Sequence, residues 1–154
     1  MEGNFLEKKS RQVARAIISS NGKILIAQLV GAHSFLPGGG VEMGEGVQMA
    51  LLREIKEELG VTNCEVRRFI GVVENCFVND ESIMIHEVNY LFEVSSNELI
   101  SNFQPNSFEP HLIFNWIDAT VESFKKHNVL PLLLSEIIPD FFLVKNSIWL
   151  TNMR

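Results

Sequence analysis

Three glutamates, Glu54, Glu57 and Glu58, fall within five consecutive positions. On a helix, at about 100° per residue, they share one face, while Leu52, Ile55 and Leu59 turn toward another. Carboxylates this close repel and raise one another's pKa values unless a cation neutralises them. Magnesium is the natural remedy, because it prefers hard oxygen ligands and is commonly held by one or two carboxylates together with substrate phosphates. Glu57 and Glu58 suit that task. An acidic run is ordinarily a solvated helix face, and two neighbours set this one apart. Gly38, Gly39 and Gly40 precede it, and glycine admits close backbone approach to a metal or phosphate. Arg53 can pair at helical spacing with Glu57 or reach back to Glu45, fixing carboxylates that must not wander.

These residues need elements to hold them. Gly46 to Leu59 carries apolar residues at helical spacing and ends at Gly60, a suitable C-cap. The runs Val13–Ile18 and Lys23–Leu29 flank Ser19-Ser20-Asn21-Gly22, whose Asn-Gly pair predicts a tight hairpin between two antiparallel strands. Glu65–Phe77 and Ile83–Val94 predict a second hairpin about Asn79–Ser82. Leu36–Gly40 reads as a glycine-rich loop and residues 97–110 as a long one. Leu112–Ile117 reads as a last short strand, and Leu130–Ile138 as a helix starting near Pro131. Residues 141–150 are apolar without a clear period. Strands placed before and after one central helix give an α/β sandwich with a mixed sheet.

A chain of 154 residues with 46% hydrophobic content is one domain's worth of sequence, so residues 1–154 are read as a single unit. Thirteen basic against 19 acidic residues give a net charge of −6, which repels nucleic-acid backbones and anionic membranes. The expected partner is therefore a small phosphorylated molecule rather than a nucleic-acid polymer or a membrane, since a bound metal inverts the local sign of an acidic site. Cys64 and Cys76 are the only cysteines, too few for a thiolate zinc site or a disulfide framework, and are expected to be reduced. Met1–Ser10 lacks the apolar run of a signal peptide and no stretch approaches membrane-span length, which makes the cytoplasm the expected location.

Gly39, Glu45 and Arg53-Glu54-Ile55-Lys56-Glu57-Glu58-Leu59-Gly60-Val61 resemble the signature of the Nudix hydrolase (MutT-like) family at every defined position. That signature is a glycine, five residues, a glutamate, seven residues, then Arg-Glu-aliphatic-any-Glu-Glu-any-Gly-aliphatic. The flanking Leu36–Glu42 stretch and Trp116-Ile117-Asp118 also look like the family. The resemblance implies the Nudix fold, a mixed sheet between helices. It implies hydrolysis of a diphosphate linkage in a nucleoside-diphosphate-linked small molecule or a nucleoside triphosphate, with Mg2+ as cofactor and Mn2+ as a substitute. It further implies that Gly38 gives a carbonyl to the metal and that Glu57 and Glu58 are metal ligands. Glu54 is a ligand or a base positioned by Arg53, Gly39 and Gly40 lie against substrate, and Glu45 is structural. Family members often form homodimers. Phe35 stands where many relatives carry tryptophan.

Outside this segment, Glu109 sits where many members place a further metal ligand or the catalytic base, the alternative being a plain surface acid. Glu87 is the second candidate, for base or substrate contact. Strand alternation puts it on the opposite side of the sheet from His86, a lone strand histidine being more often structural than catalytic. His33 borders the glycine stretch and could touch substrate, while His111 and His127 carry no signal. Phe77, Tyr90, Phe103 and Trp116 could stack on a base, although aromatics serve cores whatever the function. Val73–Val78 lacks the proline or tyrosine that accompanies particular substrates in the family, so base, sugar and leaving group stay open. Two competitors stand beside the enzyme: a non-catalytic nucleotide-binding Nudix sensor, against which the intact acidic set argues, and a structural protein with an acidic surface.

Overall fold

The computed structural model describes residues 5–137 and 145–153. Its elements in chain order are β1 (Glu7–Ile17), β2 (Ser19–Ser20), β3 (Lys23–Leu29), β4 (Ser34–Phe35), β5 (Gly38–Gly40), α1 (Val47–Leu59), β6 (Glu65–Val78), β7 (Ile83–Ser95), β8 (Leu112–Asp118), α2 (Val121–Lys126), α3 (Leu134–Ile137) and β9 (Ile148–Thr151).

β1 is the pivot. Val13, Ala14, Ala16 and Ile17 are fully buried, so the strand has apolar atoms on both faces and must have neighbours on both. β7 runs parallel to it, with Arg11 opposite Glu87 and Val13 opposite Asn89, while β5 runs antiparallel on its other edge. β6 pairs antiparallel with β7 and β9 parallel with β6, completing a mixed sheet in the order β5-β1-β7-β6-β9. A smaller sheet is built on β3, which pairs antiparallel with β2, β4 and β8. This is the mixed-sheet α/β architecture expected from the sequence.

The first hairpin forms only in part. Asn21 and Gly22 adopt the positive φ values, 50° and 74°, that the turn needs. Only Ile18, through its carbonyl to the Leu25 amide, and the pair Ser19 and Ser20 meet β3, however, because the chain passes from one sheet to the other at this point. Val13–Ile17 is claimed by β7, an eleven-residue parallel register that outweighs the short local pairing. The second hairpin, β6 with β7, forms as expected. Gly38–Gly40 is a strand and not a loop. Gly38 has φ of 134°, and a Cβ there would strike the Ala14 carbonyl, so the close approach of β5 to β1 requires glycine.

α1 matches the expected helix, with Gly60 closing it at φ 70°. It buries Ala50, Leu51, Ile55 and Leu59, each leucine or isoleucine contributing roughly 1.5–3 kcal/mol. Leu52, expected on that apolar face, is only partly buried; Leu51 takes the place. Leu51, Ile55 and Leu59 pack with Ala14, Ala16, Leu25, Phe92 and Phe114 in one core cluster, and Ile17, Ile24, Leu91, Phe124 and Leu134 belong to the second. The expected helix over Leu130–Ile138 is shorter: α3 has four residues, preceded by a turn at Leu132 and Leu133, and Ile138 lies outside the described residues. α2 was not foreseen; Thr120 caps it by accepting from the Ser123 amide. β8 is not the last strand, since β9 follows within the stretch that had no clear period; residues 141–144 of that stretch lie outside the described residues.

Candidate active site

The N-terminal side of the acidic segment is organised by one guanidinium. Arg53 Nε donates to Glu45 Oε2 at 2.7 Å and Nη2 to Glu45 Oε1 at 2.9 Å, a bidentate pair. Nη2 also donates to the Gly40 carbonyl at 3.1 Å, and Nη1 to Glu54 Oε1 at 3.0 Å and Glu57 Oε2 at 3.3 Å. The hydrogen bonds from Arg53 hold the Glu45 carboxyl down at about 2. Arg53 thus reaches back to Glu45 and forward to Glu57, both of the pairings its spacing allowed, from one turn of α1. Glu54 lies flat against Gly39, where a Cβ would come within 2.6 Å of Oε2.

Glu58 is treated in the opposite way. It is 6% exposed, and its Oε2 has no hydrogen-bond partner. Burial pushes its carboxyl up to about 8, against the pull of Arg15 and a hydrogen bond from the Gly38 amide; the negative charges of Glu54 and Glu109 push the same way as burial. Glu109 therefore stands within electrostatic reach of Glu58. Its loop is tied down: the Phe108 amide donates to the Glu58 carbonyl at 2.7 Å, Ser107 Oγ bonds the Glu109 backbone, and the Phe108 ring packs where Gly60 has no side chain.

The expectation of three carboxylates aimed together needs refinement. Arg53 draws Glu54 and half-exposed Glu57 to itself, while Glu58 turns inward. Among the described residues no group of three or more His, Cys, Asp or Glu side chains is gathered closely enough to hold a metal. The donor set nevertheless fits a hard cation. An unpartnered buried carboxylate oxygen on Glu58 is costly alone, and a cation would satisfy it. Gly38 of β5 meets Glu58 through its backbone amide, while its carbonyl accepts from Arg15 Nη1 at 3.1 Å.

Across the sheet from this segment lies a cavity of about 710 Å³. Arg11 and Arg15 of β1, Glu87 and Asn89 of β7, and Asn75 and Phe77 of β6 line it, with His33 and Phe35 at one side and Leu130 to Leu133 at another. Arg15 joins it to the acidic segment. Its Nη1 bonds the Leu36 and Gly38 carbonyls, its guanidinium lies 4.9 Å from the Phe35 ring centroid, and both Glu58 and Glu87 act on its charge. Glu87, 8% exposed, faces the cavity; His86 points to the other side of the sheet and bonds Glu74 at 2.9 Å, as strand alternation requires. His33 and Phe77 reach the cavity. Gly39 and Gly40 do not line it; they back Glu54 and Arg53 instead. Tyr90 bonds Gln12, and Trp116 bonds the Phe103 carbonyl, away from the cavity. Cys64 and Cys76 are both free thiols.

Arg15 and Asn89 went unremarked in the sequence. The available signal was a charged residue inside the apolar run Val13-Ala14-Arg15-Ala16-Ile17, where a strand buried on both faces has no ordinary place for one.

The NUDIX domain family model matches residues 9–132. The chain belongs to the Nudix family. Among curated relatives, the mRNA-decapping protein OPG122 of Variola virus is 30% identical over 116 residues, 72% of this chain and 46% of that protein. The RNA pyrophosphohydrolase of Photobacterium profundum is 39% identical over 56 residues, 36% of this chain and 32% of that one. The chain thus spans less than half the length of these relatives. Among solved structures, the mMutator MutT protein of Bacillus halodurans superposes with a TM-score of 0.66 at 16% identity, over 92% of this chain and 88% of that one. The MutT protein of Methanosarcina mazei Go1 does so with 0.61 at 20%, over 90% and 97%. At such identities these likenesses establish the Nudix fold alone. Nudix hydrolases generally use a divalent metal. Among the described residues no helix is long and apolar enough to cross a membrane.

Proposed function

We propose that this protein hydrolyses a diphosphate linkage in a nucleoside-diphosphate-linked small molecule or a nucleoside triphosphate, with Mg2+ and, in substitution, Mn2+. The observation that carries the reading is Glu58: a buried carboxylate with an unpartnered oxygen, flanked by Glu54, Glu57 and Glu109. Glu54, Glu57, Glu58 and the Gly38 carbonyl would hold the cation. When bound, it would supply charge neutralisation on the diphosphate and a lowered pKa for the attacking water. Glu109 takes the water's proton, being the outlying acid that acts on Glu58, whereas Glu87 faces the cavity and pairs with Arg11 at 3.7 Å. Arg53 positions Glu54 and Glu57 while Glu45 anchors Arg53, so neither residue needs to touch substrate. Arg15 lies where it can meet the substrate between its phosphates and the group lodged in the cavity.

The net charge of −6 favours a small nucleotide over a polymer. Two relatives are named for RNA, which makes an RNA 5′ end the competing substrate. The test is release of phosphate products from a panel of nucleoside diphosphate derivatives, nucleoside triphosphates and 5′-triphosphorylated RNA, with magnesium and then manganese. Turnover of a small nucleotide abolished by chelator is expected. Absence of turnover across the panel overturns the proposal in favour of a nucleotide sensor, and turnover confined to RNA overturns the small-substrate part.

A further inference from the structure

A sheet face that elsewhere buries Ile17, Leu91 and Ile70 in a dry core carries, at its other end, a row of polar side chains. Arg11, Glu87 and Asn75 lie side by side across β1, β7 and β6, and Asn89 is next in line on β7. Their hydrogen bonds leave a definite set of unused groups. Asn89 spends both amide protons, Nδ2 donating to Glu87 Oε1 at 2.9 Å and to the Val73 carbonyl at 3.3 Å, so its Oδ1 remains an acceptor with no partner although the residue is 1% exposed. Glu87 has one donor near each oxygen, Asn89 on Oε1 and Arg11 on Oε2. A carboxylate has about four lone-pair sites, so it can still accept from a ligand at both atoms. Asn75 has the reverse bias: Asn152 Nδ2 donates to its Oδ1 at 2.8 Å, which leaves Nδ2 as the group that can serve a ligand.

The cavity floor therefore presents two adjacent acceptor atoms with a donor beside them, in a cavity that Phe35 and Phe77 also line. We propose that this end of the cavity binds a guanine base, with Glu87 accepting from N1–H and the 2-amino group and Asn75 Nδ2 donating to O6. Guanine is the base whose Watson–Crick edge sets two donors next to an acceptor. Adenine and cytosine each offer a single exocyclic donor beside a ring acceptor, and uracil one donor between two acceptors, so each would oppose an acceptor of its own to Glu87. Such a mismatch leaves buried groups unpaired, which is how a polar site rejects an analogue. Asn89 is a positioning residue: it holds Glu87 Oε1 from behind and fixes the carboxylate plane. A volume of about 710 Å³ lies in the range of sites for ligands of this size. Arg15 lines the cavity and also feels the charges of Glu58 and Glu54, so the base would sit beyond Arg15 from the diphosphate; this arrangement rests on the function proposed above.

Equilibrium binding of nucleoside monophosphates, measured by titration calorimetry in chelator, tests the base site without hydrolysis. Inosine monophosphate removes only the 2-amino group, so the deletion is made on the ligand and no variant has to fold. GMP is expected to bind about 10- to 100-fold more tightly than IMP or AMP. Glu87→Gln, which keeps shape but turns one acceptor into a donor, is expected to bring the three within about threefold. Removing the 2′-hydroxyl, in dGMP, should leave binding unchanged. Equal binding of GMP and IMP, AMP binding as tightly as GMP, or no GMP binding at millimolar concentration overturns the proposal. So does indifference to the base combined with loss on removing the 2′-hydroxyl, which would make Glu87 a reader of the sugar. Selective GMP binding without hydrolysis of any guanine nucleotide would leave this site standing and defeat the proposed reaction instead.

Discussion

Glu45 and Glu58 stand at opposite ends of the same signature, and the protein handles their carboxylates in opposite ways. Glu45 has both oxygens on Arg53 and is held down at about 2; Glu58 has a bare oxygen inside the protein and is pushed up to about 8. The first is complete as it stands. The second is a group that a cation would complete, and under the proposed function the contrast separates the residues that build the site from those that would act in it.

The largest effect should come from breaking the Glu58 side. Glu58→Gln keeps size but removes the charge, and is expected to lower kcat/KM by about 10³-fold or more, several kcal/mol of transition-state stabilisation, while thermal melting shows an intact fold. Near-normal turnover would sink the mechanism. Glu109→Gln is expected to lower kcat by about 10²- to 10⁴-fold, the range for a lost general base, with folding unchanged by thermal melting. If Glu87→Gln does this and Glu109→Gln does not, the base assignment moves to Glu87.

The legibility of these two ends differed as well. The spacing of Glu45, Arg53, Glu54, Glu57 and Glu58 is local, set by one helix and the turn before it, so the clamp could be read from the chain. Even there the inward turn of Glu58 was invisible, because it depends on β5 lying against β1 and on the tethered loop of Phe108. The cavity was almost illegible. Its floor joins Arg11, Glu87 and Asn75 from three strands whose parallel and antiparallel registers no local pattern fixes. The same long-range pairing took Val13–Ile17 away from its expected hairpin and left β9, four residues in a stretch without clear period, unanticipated.

Proton linkage sharpens the contrast at a smaller scale. The Glu58 carboxyl is raised above its unfolded value, so its contribution to metal-free stability is full below about 4.5 and is lost as pH rises through about 8. A cation must displace that proton, so apparent Mg2+ affinity by titration calorimetry should rise about tenfold per pH unit toward 8 and then level off. Millimolar magnesium should correspondingly raise the melting temperature, by the equivalent of about 2.7 kcal/mol at a hundredfold excess over Kd. A melting temperature indifferent to magnesium at pH 8 would count against a metal at Glu58.

The smallest effect belongs to the clamp. The Glu45 carboxyl is depressed, so what it adds to stability is present above about 4.5 and is lost as pH falls toward about 2. Urea denaturation of Glu45→Gln should show a deficit against the parent protein at pH 6 that closes as pH approaches 2. A deficit independent of pH would mean that Glu45 acts by packing and not by charge.

The tether between Phe108 and α1 has a consequence for rate. A loop free to swing would have to be ordered each time substrate arrived, and the entropy of ordering it would be taken from binding. Here the Phe108 amide sits on the carbonyl of Glu58 itself, and its ring fills the space left by Gly60. The distance from the proposed base to the buried carboxylate is therefore settled when the protein folds. Expressed as effective molarity, Glu109 in the proposed role would meet its water as a neighbour already in place, and the concentration of base at the reacting atom would not depend on a hinge.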